Sequence, residues 1–178
     1  MRPVSPASPN SPLPRTSDSM RLTHLDDAGR PRMVDVSTKP TTLRVARATA
    51  LITVSEELRA RLLDGTLPKG DALTTARLAG ILGAKRTPDL IPLCHPLRLD
   101  EIVVDVCIRD EGVRITTQAT ARDVTGVEME ALTAAAIAAL TVYDMIKAVD
   151  RGAVIGDLRV TYKAGGKSGA WSAPGESA

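Results

Sequence analysis

The chain has 178 residues, 43% of them hydrophobic, enough for one globular domain with a buried core and too few to suggest a second. Its 23 basic and 21 acidic residues leave a formal charge of +2, so no overall field draws it to nucleic acid or an anionic membrane, and any anion site must come from local clustering. Two cysteines, Cys94 and Cys107, and two histidines, His24 and His95, are too few for a disulfide framework or a four-ligand zinc centre; no metal ligand is assigned, and a reducing, cytoplasmic setting is expected.

Residues 1–20 hold five Pro and five Ser with almost no bulky apolar side chain. Such a segment cannot offset the entropy of ordering and is expected to be a disordered tail; it also lacks the apolar run of a signal peptide. Arg44 to Val54 mixes β-branched and small residues in rough alternation, which predicts a strand. Ser55-Glu56-Glu57 supplies an N-cap and an acidic first turn for a short helix closing near Gly65, and a second short helix is expected from Asp71 toward Arg86. Lys85 to Pro96 then crowds two cations, a carboxylate, a thiol and an imidazole among three prolines, which should keep it out of regular structure as a stiff polar loop. Ile102, Val104, Val106 and Ile108 alternate with partners that include Asp105 and Arg109, Asp110-Glu111-Gly112 turns the chain, and Val113 to Arg122 completes a hairpin. Glu128 to Val149 is rich in good helix formers and reads as a long helix; Thr133, Thr141, Asp144 and Lys147 interrupt its apolar run, so no membrane span is expected. Val154 to Lys163 follows the Gly152 break as a last strand, and the Gly- and Ser-rich end, residues 170–178, reads as flexible. The order β-α-β-β-α-β with an inserted short helix predicts an α+β fold: a ferredoxin-like antiparallel sheet with helices on one face, in a single domain over residues 21–169.

At 100° per residue, Glu130, Thr133, Thr141, Asp144 and Lys147 fall within roughly 120° of one another on the long helix, opposite Leu132, Ala135, Ala139, Val142, Tyr143 and Ile146. A solvated face is usually dense in Lys and Glu; this stripe also contains Ile137 and Leu140, which favours a semi-buried functional stripe. Several further cations sit where a loop meets an element: Lys69 before Gly70-Asp71, Arg77 in the second helix, Lys85-Arg86 at its end, and Lys163 and Lys167 bracketing Ala164-Gly165-Gly166. Such placements suit phosphate oxygens, because Gly lets backbone N–H groups approach and Lys adds a point charge. Gly166-Lys167-Ser168 is not a P-loop, since Thr161 occupies the position of the leading glycine and no helix can follow.

Met33-Val34-Asp35-Val36-Ser37, Lys69-Gly70-Asp71, Ala84-Lys85-Arg86-Thr87, Asp89-Leu90-Ile91-Pro92-Leu93-Cys94-His95-Pro96, Gly126-Val127-Glu128-Met129-Glu130-Ala131-Leu132-Thr133, Tyr143-Asp144-Met145, Lys147-Ala148-Val149 and Gly165-Gly166-Lys167-Ser168-Gly169 follow one another in unbroken order. Together they resemble the molybdenum cofactor biosynthesis protein C family, the cyclic pyranopterin monophosphate synthases. The likeness runs from about Arg21 to Gly169, starting just after Met20. One position departs: Pro88 stands where the family pattern has Trp, which alters loop packing and no ionisable group.

The resemblance implies a lyase of molybdopterin biosynthesis that converts (8S)-3′,8-cyclo-7,8-dihydroguanosine 5′-triphosphate to cyclic pyranopterin monophosphate with release of diphosphate. It implies a homo-oligomer, a hexamer built as a trimer of dimers with active sites at subunit interfaces, and no resident cofactor, with Mg²⁺ on the triphosphate left open. Neither nucleic acid nor membrane is an implied partner. By motif match Lys69 and Lys147 are the acid–base pair and Asp144 the catalytic carboxylate that orients Lys147. Leu93, Cys94, His95, Met129 and Glu130 match substrate-binding positions, and Glu128 is a second carboxylate. Arg44, Arg77, Lys163 and Lys167 are weaker candidates for the triphosphate. An RNA-recognition domain shares the element order but stacks bases on sheet aromatics, and this chain has no Phe, two Tyr and one Trp. A small-molecule-sensing regulatory domain would not need Lys69, Asp144 and Lys147 together. Cys94 as a nucleophile paired with His95 is disfavoured because adjacent residues on an extended segment point apart, so Cys94 is expected to act through its backbone or packing.

Overall fold

A computed structural model describes Leu25, Asp26 and residues 28–176; the tail expected over residues 1–20 lies outside the described residues. Two compact units divide at Asp35 and Val36. Within the first, Leu25 pairs with Pro31 around a turn whose Asp26 carboxylate accepts hydrogen bonds from the backbone N–H groups of Ala28 and Arg30, both 2.9 Å, and from Arg30 Nε at 2.8 Å.

The second unit, Val36–Ala178, contains the strands β1 (Thr42–Thr53), β2 (Leu99–Arg109), β3 (Gly112–Asp123), β4 (Val154–Ala164) and β5 (Trp171–Ser172) and the helices α1 (Glu56–Leu63), α2 (Ala72–Lys85), α3 (Thr87–Leu90) and α4 (Glu128–Ile146). The sheet is antiparallel throughout, in the order β2-β3-β1-β4-β5, so its first four strands have the ferredoxin-like arrangement and β5 extends the edge. Alternation decides which face is covered. Ala46, Ala48, Ala50 and Ile52 of β1 and Val113, Ile115, Thr117, Ala119 and Ala121 of β3 are buried on the helix side. The opposite face of the sheet carries Arg47, whose guanidinium lies 4.9 Å over the Tyr162 ring and whose Nε donates to Gln118 Oε1 at 2.9 Å.

The core face is lined mostly by alanine because α4 lies close against it with Ala131, Ala134, Ala135, Ala138 and Ala139, all fully buried. Bulk enters at Ile52, Ile115, Val142 and Ile146, each contributing about 1.5–3 kcal/mol by complete burial. Although polar residues interrupt it, α4 is long and apolar enough to cross a membrane by length and composition; here its apolar side is the core of the unit. On its other flank α4 meets α2 so closely that a Cβ at Gly83 would lie 2.8 Å from Ile137 Cγ1.

Local chemistry sets the element ends. Ser55 Oγ accepts from Leu58 N at 3.3 Å and Asp71 Oδ1 from Thr74 N at 2.9 Å, capping α1 and α2. The long helix stops at Ile146, short of the expected Val149, because the N–H groups of Val149 and Asp150 both turn back to Ile146 O and the Asp150 carboxylate then accepts from Ser55 N (2.7 Å) and Gly152 N (2.9 Å). Two other expectations change. The Pro-rich block is not wholly irregular: Thr87–Leu90 makes one helical turn, since Pro88 sits in a first turn where its missing N–H costs nothing and Thr87 Oγ1 bonds Ala84 O at 3.0 Å. The segment after residue 170, expected to be flexible, instead pairs Trp171 with Lys163 and Ser172 with Tyr162, and buries Ala173, whose N–H donates to Thr161 O at 2.8 Å.

Candidate functional site

Most of the candidate residues collect at the two ends of α4. At its C-terminal end Asp144 and Lys147 are one turn apart, and the Lys147 ammonium lies 2.8 Å from Asp144 Oδ1. Lys69 arrives from the loop between α1 and α2. Its turn is shaped by Pro68, by Gly70 at φ 84°, and by a Gly70 N–H to Leu67 O bond of 3.1 Å, with Leu67 anchored in the core. The Lys69 ammonium donates to Asp144 Oδ2 at 2.8 Å and to the Asp144 carbonyl at 2.7 Å. One carboxylate is thus clamped between two ammonium groups of the same chain, all three partly open to solvent. Hydrogen bonds from Lys147 and then Lys69 hold the Asp144 carboxyl down at about 2, and the same contact raises Lys147 above the ordinary lysine value. The resting cluster is therefore an anion flanked by proton donors.

The N-terminal end of α4 has the opposite character. Glu130 is 3% exposed, and burial, reinforced by the charges of Glu128 and Asp123, pushes its carboxyl up to about 7. A carboxyl at that value exchanges its proton near neutrality. Cys94 is close enough to feel Glu130, and burial and that charge both push its thiol up, which opposes a thiolate nucleophile. Leu93 and Cys94–His95 follow α3 as partly exposed loop residues, while Glu128 and Met129 are half-buried in the first turn of α4.

Beside this end lies a cation group. Arg44 Nη2 donates to Val124 O at 3.1 Å and Nε to Asp123 O at 3.3 Å, so the guanidinium straps the β3–α4 connection. Gly165 and Gly166, at φ 100° and 71°, pass directly beneath it: a Cβ on Gly166 would lie 1.8 Å from Arg44 Nη1, and one on Gly165 would lie 2.1 Å from Leu43 O. These glycines thus make room for a side chain and a strand of this protein, a use that their phosphate-loop composition does not reveal. The Lys163 ammonium donates to Ser168 Oγ, and Lys167 is exposed on the same loop. Arg77 stands apart from both groups, donating to Val106 O at 2.7 Å and lying 3.6 Å from Asp105 on β2.

Fourteen residues separate Glu130 from Asp144, which places the two ends about 21 Å apart at 1.5 Å per residue. The polar stripe is real in direction but divided in environment: Glu130 and Thr133 are buried, whereas Asp144 and Lys147 are open. Sequence reasoning gave no role to Asp123, Gly126 or Asp150. Asp123 and Asp150 act mainly on nearby backbone and Gly126 by what it lacks, so none carries a composition signal. Among the described residues, no cluster of three or more His, Cys, Asp or Glu side chains is placed to hold a metal ion.

Residues 33–166 match the MoaC family. The chain is 56% identical over 167 residues to a protein of Streptomyces avermitilis named cyclic pyranopterin monophosphate synthase, an alignment covering 94% of this chain and 97% of that one. A protein of the same name from Streptomyces coelicolor is 59% identical over 152 residues, 85% of this chain and 89% of its own. Cyclic pyranopterin monophosphate synthase 2 of Mycobacterium tuberculosis is 53% identical over 154 residues, 86% of this chain and 92% of its own.

Proposed function

This chain belongs to the MoaC family, and from that premise we propose that it is a lyase of molybdenum cofactor biosynthesis, acting as a cyclic pyranopterin monophosphate synthase. Its substrate on this reading is (8S)-3′,8-cyclo-7,8-dihydroguanosine 5′-triphosphate, rebuilt into cyclic pyranopterin monophosphate with loss of diphosphate. The observation that carries the reading is the Lys69–Asp144–Lys147 cluster, in which two lysines share one ionised carboxylate, in a chain more than half identical to synthases along most of their length.

Rebuilding a purine into a pyranopterin takes successive proton transfers, and closing the cyclic phosphate expels a highly charged leaving group. Lys147, protonated beside Asp144, is suited to donate a proton or to neutralise phosphate charge as it develops. Asp144 fixes both ammonium groups in position and, by favouring the charged form of Lys147, keeps that lysine an acid until substrate contact redistributes the proton. Glu130, near neutrality in proton affinity, is suited to hold a purine edge in either protonation state, with Glu128, Met129 and the Leu93–His95 loop around it. Lys163 and Lys167 serve the triphosphate; Arg44, which straps the β3–α4 connection, and Arg77, already committed to β2, play structural parts. No resident cofactor enters this scheme, and any Mg²⁺ arrives with the triphosphate as part of the substrate.

The roughly 21 Å between the two ends of α4 supports a site shared between chains. A nucleotide of this size does not reach from Glu130 to Lys147 along one helix, so the C-terminal cluster of one chain would meet the N-terminal group of another. Leu78 and Leu82 on α2 and Leu140 on α4, each more than half exposed, offer apolar surface for such packing in a hexamer, a trimer of dimers. Incubating the purified protein with the cyclic dihydro-nucleotide should yield pyranopterin and diphosphate together. Unchanged substrate at micromolar enzyme would overturn the assignment.

A further inference from the structure

The turn entering α4 contains a glycine whose missing side chain is occupied by a charged group. A Cβ built on Gly126 would lie 1.9 Å from Glu128 Oε2, 2.8 Å from its Cδ and 3.0 Å from Oε1, and these three atoms are the nearest that it meets. Gly126 is not among the residues at positive φ, so its conformation is open to any side chain and gives no backbone reason for glycine. The Glu128 carboxylate is folded back over the chain two residues before it, and its charge adds to the burial that raises the Glu130 carboxyl.

We propose that Gly126 is a positioning residue whose empty Cβ space seats the Glu128 carboxylate against the turn that enters α4. The inference rests on the reading of Glu128 as one of the carboxylates that meet substrate. Helix geometry alone leaves a glutamate in a first turn a choice of rotamers, several of which point into solvent. The seat at Gly126 removes that freedom, and it does so without backbone strain. Alanine there collides with the movable end of one side chain, so the substitution displaces a carboxylate while leaving the fold intact. Gly165 is the contrasting case, since its methyl would strike the Leu43 carbonyl.

The test is a double-mutant cycle on the full chain, with Gly126→Ala, Glu128→Ala and the combination. Gly126→Ala should raise KM about 5- to 20-fold with a melting temperature within about 2 °C of wild type, whereas adding it to Glu128→Ala should change KM less than about twofold, because the atoms it strikes are gone. Equal losses in both backgrounds would overturn the proposal, as would unfolding of Gly126→Ala both alone and with Glu128→Ala. A second readout does not depend on turnover: the Glu130 carboxyl carbon is titrated by NMR in the same four proteins. The titratable groups that act on or feel Glu130 are Glu128 on its own helix, Asp123 at the end of β3 and Cys94 after α3. Moving Glu128 away should lower the Glu130 midpoint in Gly126→Ala and leave it unmoved when the change is added to Glu128→Ala. An unshifted midpoint in Gly126→Ala would refute the seating even in a protein that turned over no substrate, whereas an inactive wild type with a shifted midpoint would refute the synthase reading alone.

Discussion

Replacing Glu130 by Gln should stabilise the protein at high pH while impairing its activity. The buried carboxyl is raised from 4.5 to about 7, so the folded state holds a proton that the unfolded chain has released. Stability from that proton is complete below the unfolded value and is lost as pH rises through the folded one. At about 1.4 kcal/mol for each tenfold change in proton affinity, the full cost of ionising Glu130 in the fold is about 3 kcal/mol. Relaxation of the fold and water penetration around a buried charge bring it to about 2 kcal/mol. Glutamine keeps the shape and has no proton to lose. Thermal unfolding at fixed protein concentration should therefore show Glu130→Gln and wild type nearly alike at about pH 5, and the variant higher by about 4–8 °C at about pH 8, using 2–4 °C per kcal/mol for a chain of this size. A difference that does not depend on pH, or a variant less stable at about pH 8, would refute the burial argument.

The C-terminal cluster should respond differently. Lys147→Ala should lower kcat by about 10²–10⁴-fold with unchanged melting temperature, as expected for loss of a proton-transfer group on an open surface. Asp144→Asn removes the charge that raises Lys147, so the high-pH limb of kcat/KM should move to lower pH; a limb that stays in place would assign it to another group. Lys167→Ala should raise KM with kcat nearly constant, since a phosphate contact made equally in ground and transition states adds only uniform binding, a separation that steady-state kinetics resolves. Gly165→Ala should cost about 1–3 kcal/mol or more by denaturant titration, because φ 100° and the Leu43 carbonyl 2.1 Å from the added carbon leave no room to adjust.

The fold was legible wherever one periodicity prevailed. The two-residue alternation through Ile102 to Ile108 and the helical stripe of α4 both survive in the structure, because burial on one face makes a shift of one residue costly. Ends were harder to place. Where α4 stops depends on Asp150 reaching Ser55, 95 positions away in the chain, and no local pattern encodes that contact. Likewise β5 exists because Ala173 can be buried beside β4, in a segment whose composition reads as loose. The site shows the same division. Asp144 and Lys147 could be paired from their spacing alone, and Lys69 reached them only through the motif resemblance. Composition misleads most at Gly165 and Gly166: a loop that looks built for a phosphate is already filled by Arg44.

Because Lys69 and Asp144 meet within one chain, the pair that should complement across chains is Asp144 with Glu130, about 21 Å apart on α4. Asp144→Asn and Glu130→Ala proteins, each nearly inactive, would be mixed, dissociated and reassembled, with mixed oligomers verified by native mass. If each site joins the C-terminal end of one α4 to the N-terminal end of another, about a quarter of the sites in a random mixture carry both residues intact, and turnover of the cyclic dihydro-nucleotide should recover to about that fraction of wild type. Mixed oligomers no more active than either parent would contradict the shared site and place both ends of the chemistry in a single chain.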